Sequence, residues 1–212
     1  MKSVSAFFAV LTYSTTSFST AELVFENKPL TLLLNDNNQA NVSNCSDFIA
    51  LRKADEKIKD IQELSPPEQG FAEVALFDCY LNGYVIENQL REIKKQKPSL
   101  GEILRHLPAT EKLIVSDNEK EETAKKFKGQ SIWATSPDLI QQDDIFVSKI
   151  NDAGYRLIDF RTYVTPQNKE IEIITLGSFV LHGTAGTRSH YIVNSKNNDI
   201  WEITKIDMNS PL

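Results

Sequence analysis

The stretch from Tyr155 to Asp207, YRLIDFRTYVTPQNKEIEIITLGSFVLHGTAGTRSHYIVNSKNNDIWEITKID, decides the fold class. Apolar and polar residues alternate with period two through Tyr155–Val164, Glu170–His182, Arg188–Asn194 and Ile200–Asp207. Turn formers separate these runs: Pro166-Gln167-Asn168, Gly183-Thr184-Ala185-Gly186 and Lys196-Asn197-Asn198, with Asn151-Asp152-Ala153-Gly154 leading into the first. The pattern predicts an antiparallel meander of about four strands. Register is inferred by pairing Val164 near Lys169 and Phe179 opposite Tyr191, with Asn198 in the left-handed position of a short last turn. One face then collects Ile158, Phe160, Ile171, Ile173, Phe179, Leu181, Tyr191, Val193, Trp201 and Ile203, and it should meet the helices. The other face mixes Leu157, Ile174, Leu176, Val180 and Ile192 with Asp159, Arg161, Glu172, His182 and His190. A pocket or partner surface is expected there.

Upstream of the meander the period changes. Leu51, Ala54, Ile58 and Ile61 recur at helical spacing, predicting one amphipathic helix over Asp47–Leu64. Ser65-Pro66-Pro67-Glu68 reads as a capping box with proline at the first helical position, opening a long helix to about Gln96. Phe71, Val74, Leu76, Phe77, Tyr80, Leu81, Tyr84, Val85, Leu90 and Ile93 give it apolar residues around much of its girth, which predicts burial on several sides. Ser99 with Glu102 opens a short helix stopped by Pro108, Ser116 with Glu119 opens a charged one ended by Gly129, and Ser136-Pro137-Asp138 begins a last helical turn. Residues 23–34 read as a strand interrupted at Pro29, and Asn35–Asn44 as a polar loop carrying two glycosylation sequons, Asn41-Val42-Ser43 and Asn44-Cys45-Ser46. The whole is an α+β domain, helical over about 45–130 and sheet over about 131–208.

At the N-terminus, Lys2 precedes the short apolar run VSAFFAVL (4–11), and Ser19-Thr20-Ala21 puts small residues where a signal peptidase cuts. Residues 1–21 read as a signal peptide, with the mature domain over 22–212. A spanning helix needs about 20 apolar residues, and polar residues interrupt this run at about half that length. The expected destination is a periplasm or the extracellular medium. Lys2 is the one charge in residues 1–21, so the mature chain has 22 basic and 29 acidic residues, net −7. An acidic chain of this kind argues against nucleic acid, whose phosphates need clustered Lys and Arg. It suits a protein partner, a basic one included. Cys45 and Cys79 are the only cysteines, and their spacing predicts a structural disulfide in an oxidising compartment, not a redox CxxC or a metal site.

Five residues are candidates for binding: His182, His190, Arg188, Asp159 and Arg161. With Val180 opposite His190, His182 is its diagonal neighbour and Arg188 faces His182, a set suited to an anion or to acid–base work. A cross-strand Arg161–Glu172 ion pair accounts for Arg161 more simply. The sequence offers no third ligand at metal spacing. Ser189 and His190, adjacent on a strand, point to opposite faces and cannot form a Ser–His pair. Gly183–Thr187 joins strand to strand and lacks a phosphate loop's Gly-Lys-Ser/Thr ending. No cofactor is expected.

Helices followed by a meander ending in Trp201-Glu202-Ile203 loosely resemble cystatin-like and nuclear-transport-factor-2-like cone domains over residues 133–207. That resemblance implies a curved sheet but no particular function, since such folds host enzymes, carriers and binders alike. The expected function is a non-enzymatic exported binding protein, of inhibitor or immunity type. The alternative is a small cone-fold enzyme or ligand carrier.

Overall fold

The computed structural model describes residues 22–25, 28–113 and 117–212, with the backbone alone at Phe25 and at 117–120. The expected signal peptide, and Ser116 with the Glu119 side chain of the expected capping box, lie outside what is described. In chain order the elements are β1 (Val24–Phe25), β2 (Lys28–Leu34), β3 (Gln39–Val42), α1 (Cys45–Lys53), β4 (Ile58–Gln62), α2 (Pro66–Glu87), β5 (Arg91–Ile93), α3 (Leu100–His106), a 3-10 turn (Ala109–Glu111), α4 (Asp117–Lys126), β6 (Ile140–Gln142), β7 (Ile145–Ser148), β8 (Ala153–Val164), β9 (Glu170–Val180), β10 (Gly186–Ser195) and β11 (Glu202–Ile206). This is α+β. The four expected strands are β8 to β11, but among the described residues their antiparallel sheet has seven strands, in the order β11-β10-β9-β8-β7-β6 with β5 also on β8. A second sheet joins β1, β3 and β4 to β2.

The expected helix over Asp47–Leu64 ends at Lys53. Asp55, at φ 60°, donates its N–H to the Arg52 carbonyl, and Glu56 donates to Leu51. This pair of reversed bonds closes a helix in the left-handed C-terminal motif. Ile58 and Ile61 then belong to β4, opposite Leu34 and Leu32. Leu33 pairs with Asp60, so Lys59 is an extra residue in a bulge, and the bulge brings two isoleucines three apart onto one buried face. The helical spacing was thus a bulged strand. The long helix stops at Glu87 by the same device: Gln89, at φ 51°, donates to Ile86 and Leu90 donates to Val85. Arg91–Ile93 leave it to pair with β8. Its start is as expected, with the Ser65 N–H donating to Glu68 Oε2 at 2.9 Å. Not all its apolar residues are buried; Phe71 is 69% exposed. The polar loop 35–44 contains β3, and Asn44 caps α1 by accepting the Asp47 N–H at 3.0 Å. No helix begins at Ser136–Asp138, where turns lead instead to the hairpin of β6 and β7. The Asp138 carboxylate accepts from the Ser148 hydroxyl at 2.6 Å and the Ile150 N–H at 2.8 Å.

The β9–β10 register differs from expectation by five residues: Tyr191 pairs with Ile174, and Gly186 with Phe179. The chain turns earlier than the glycines suggest, the Val180 N–H donating to the Ala185 carbonyl at 3.0 Å. An odd shift exchanges faces. Asn198 has no left-handed backbone; Ser195 pairs with Glu202, and a bulge falls at Asn194. The sheet is covered on both sides. Tyr163, Ile171, Ile173, Ile192 and Ile206 pack with α1, α2 and the small sheet in one core. Tyr155, Leu157, Phe160, Ile174, Leu176, Tyr191, Val193, Trp201 and Ile203 pack with Leu100, Ile103 and Leu104 of α3 in the other. The Cys45–Cys79 disulfide joins the first residue of α1 to the middle of α2.

Candidate functional site

Along the α2 face of the sheet, side chains come in rows that cross β8, β9 and β10. Asp159, Thr175 and His190 form one row, Arg156, Gly177 and Arg188 the next, and Gly154, Phe179 and Gly186 the last. Between the last two rows and the first turns of α2 lies an open groove of about 880 Å³, walled by Gly70, Phe71, Glu73 and Val74 and floored by Ile158, Gly177, Phe179 and Arg188. Ile158 is the bulged residue of β8, displaced from pairing between Leu157 and Asp159. It is 39% exposed.

Of the five candidate residues, two line this groove: Arg188 and His190. His190 is buried, 9% exposed, with its ring stacked on Phe77 of α2 at 3.3 Å between centroids. Its Nδ1 shares a 3.0 Å hydrogen bond with the Thr175 hydroxyl. Burial, and then the positive charges of Arg188 and Lys205, depress its pKa to about 4, outweighing Asp159 and Asp207. It is a neutral core imidazole, not an exposed strand-end histidine.

His182 lies beyond the end of β9 and donates from Nδ1 to Asp152 Oδ1 at 2.6 Å. Because His190 sits opposite Thr175, five residues before β9 ends at Val180, and His182 lies in the turn past that end, roughly 15 Å or more of strand separates the two histidines. They form no common site. Asp159 and Arg161 do come together, but with each other: Arg161 Nε donates to Asp159 Oδ2 at 2.7 Å, and the Phe160 N–H donates to Asp159 Oδ1 at 2.8 Å. The expected Arg161–Glu172 pair is not made, because Glu172 is in register with Thr162 and points to the other face. Glu172 is held by Lys196 at 2.5 Å and Lys95 at 3.1 Å. Here β8 has β9 on one side, while on the other its pairing with β7 stops at Arg156 and its pairing with β5 starts at Thr162. The bulge and the charged pair therefore sit on a short open edge, where both discourage strand addition.

Asp78 of α2 carries the remaining electrostatic signal. Partial desolvation raises its pKa against the pull of Arg161 and Arg188. Sequence reading missed the groove's main members, Phe71, Arg156, Ile158 and Phe179. Their signal was the glycine in each of three adjacent strands, Gly154, Gly177 and Gly186, which marks a place where side chains lie across the backbone. Among the described residues no three His, Cys, Asp or Glu side chains gather where they could hold a metal ion. No described helix is long and apolar enough to cross a membrane. No protein-family model, no curated protein and no solved structure matches this chain.

Proposed function

We propose that this is an exported binding protein, periplasmic or secreted and not an enzyme, which receives an apolar segment of a protein partner in the groove between α2 and the sheet. The observation that carries the reading is the pair of large apolar side chains in that groove, Phe71 and Ile158, 69% and 39% exposed. Apolar area of this kind returns about 25 cal/mol per Å² when covered, and contiguous exposed patches of it mark contact surfaces. The disulfide and the leader-like residues 1–21 support an oxidising destination. An inhibitor or immunity role fits a body stiffened in this way. The test is capture from the native envelope on immobilised mature protein, wild type beside a Phe71→Ser/Ile158→Ser variant. A partner retained by the wild type and lost from the variant supports the reading; identical retention by both overturns it.

A second reading, a cone-fold carrier or enzyme for a small ligand, is favoured by the raised Asp78 pKa beside Arg161 and Arg188. Its mark would be a small molecule that copurifies with the native protein, is identified by mass spectrometry, and is lost from Ile158→Asp.

A further inference from the structure

We infer that the groove recognises a carboxylate side chain next to a large apolar one in a peptide segment, with Arg188 taking the carboxylate. The inference rests on the reading that the groove binds a protein partner, and it adds the chemistry of the segment. Gly177 has Arg156 in register on β8 and Arg188 in register on β10. In the next row Phe179 has Gly154 on one side and Gly186 on the other. A Cβ on Gly177 would stand 3.0 Å from Ile158 Cδ1, and one on Gly154 would stand 2.3 Å from the Phe179 ring. Ile158 and Phe179 therefore lie flat over missing side chains. They make a shallow apolar floor with a guanidinium on each side.

The two guanidiniums differ. Arg156 is taken, donating from Nε and Nη2 to Asp144 Oδ2 at 2.8 and 2.5 Å. The Arg188 side chain is exposed, and its guanidinium makes no hydrogen bond or ion pair among the described residues; Asp78 acts on it only through space. A planar guanidinium fixed on a strand is suited to a bidentate carboxylate. Arg188 is one strand, about 4.8 Å, from the Gly177 position over which Ile158 lies. Acid and apolar group must then be close neighbours in the ligand. Glu73, on the helix wall and without an ion pair among the described residues, repels a carboxylate from that side and sets the orientation. The groove is open, whereas pockets for small amphiphiles enclose most of their ligand. That favours a passing peptide chain over a fatty acid.

The test is a ¹⁵N NMR titration of the mature protein with three probes: the acetylated, amidated peptide leucine–glutamate–phenylalanine, its glutamine twin, and dodecanoate. The acidic peptide should shift the amides of Gly154, Gly177 and Gly186 and the Arg188 Nε–H, and bind about tenfold tighter than its twin. Arg188→Gln should abolish that preference, with Arg188→Lys keeping part of it. Ile158→Ser should weaken both peptides alike, and Glu73→Gln should tighten the acidic one. Equal binding of both peptides in the groove would overturn the carboxylate assignment and leave the partner reading standing. Absence of groove shifts with either peptide would overturn both. Groove binding by dodecanoate alone would reassign it to a lipid-like anion.

Discussion

His190 stacks on Phe77 and bonds to Thr175 where water scarcely reaches, so its protonation is coupled to folding. Its pKa falls from an ordinary 6.5 to about 4 in the folded chain. The unfolded chain takes up the proton first, so this contribution to stability is full above about pH 6.5 and is lost progressively down to about pH 4, up to about 3 kcal/mol. Urea unfolding of wild type and His190→Gln at pH 7 and pH 4.5 checks this: the wild type should lose more stability than the variant, and equal losses would refute it. Residues also explain what the sequence hid. Asp55 and Gln89 end α1 and α2 in left-handed conformations that glycine usually supplies, so neither stop was marked. Lys59, one bulged residue, made a strand look helical. The burial of His190 followed from register, which a single residue's type does not disclose.

Elements that carry strong local signals were legible. The capping box at Ser65 and the N-cap at Ser99 start α2 and α3 where expected, and the four alternating runs are β8 to β11. Short strands such as β3, β5, β6 and β7, of three or four residues, exist through their partners and leave almost no periodic trace. Cys45–Cys79 cross-links α1 to α2, which also share one apolar core. Closing a loop of about 35 residues limits the unfolded chain and is worth up to about 3.8 kcal/mol. Cys79→Ser should therefore lower unfolding free energy by about 2–4 kcal/mol in denaturant titration, and an unchanged midpoint would deny the bridge this role. At the other core, Trp201 is buried against α3: its ring stacks on His106 at 5.0 Å, its backbone N–H donates to the His106 carbonyl at 2.9 Å, and Lys196 lies 4.3 Å over its face. His106 in turn donates from Nδ1 to the Asp199 carbonyl at 2.6 Å. Trp201→Ala should cost about 3–5 kcal/mol by the same titration, and a cost below about 1 kcal/mol would contradict the packing of Trp201 on α3.

Across the molecule the large sheet lies between two cores, and among the described residues that arrangement leaves one part of one face uncovered. The middle of α2 closes on the sheet through Phe77 and His190, while Phe71, two turns earlier, stands away from it. A helix that diverges from a sheet opens a wedge, and glycines in β8, β9 and β10 lower the wedge's floor. The α+β class was readable from periodicity, but the groove was not, because it needs the register of three strands and the position of a helix at once. Of the five sequence candidates only Arg188 remains exposed in the groove. Photo-crosslinking in the native envelope tests the groove most directly, with p-benzoylphenylalanine placed at Phe71, at Ile158 or at Ile150. Ile150 is 73% exposed but does not line the groove, so it serves as the control. A groove that binds a protein partner predicts one adduct of the same mass from positions 71 and 158 and none from 150; adducts from 150 with none from the groove positions would contradict it.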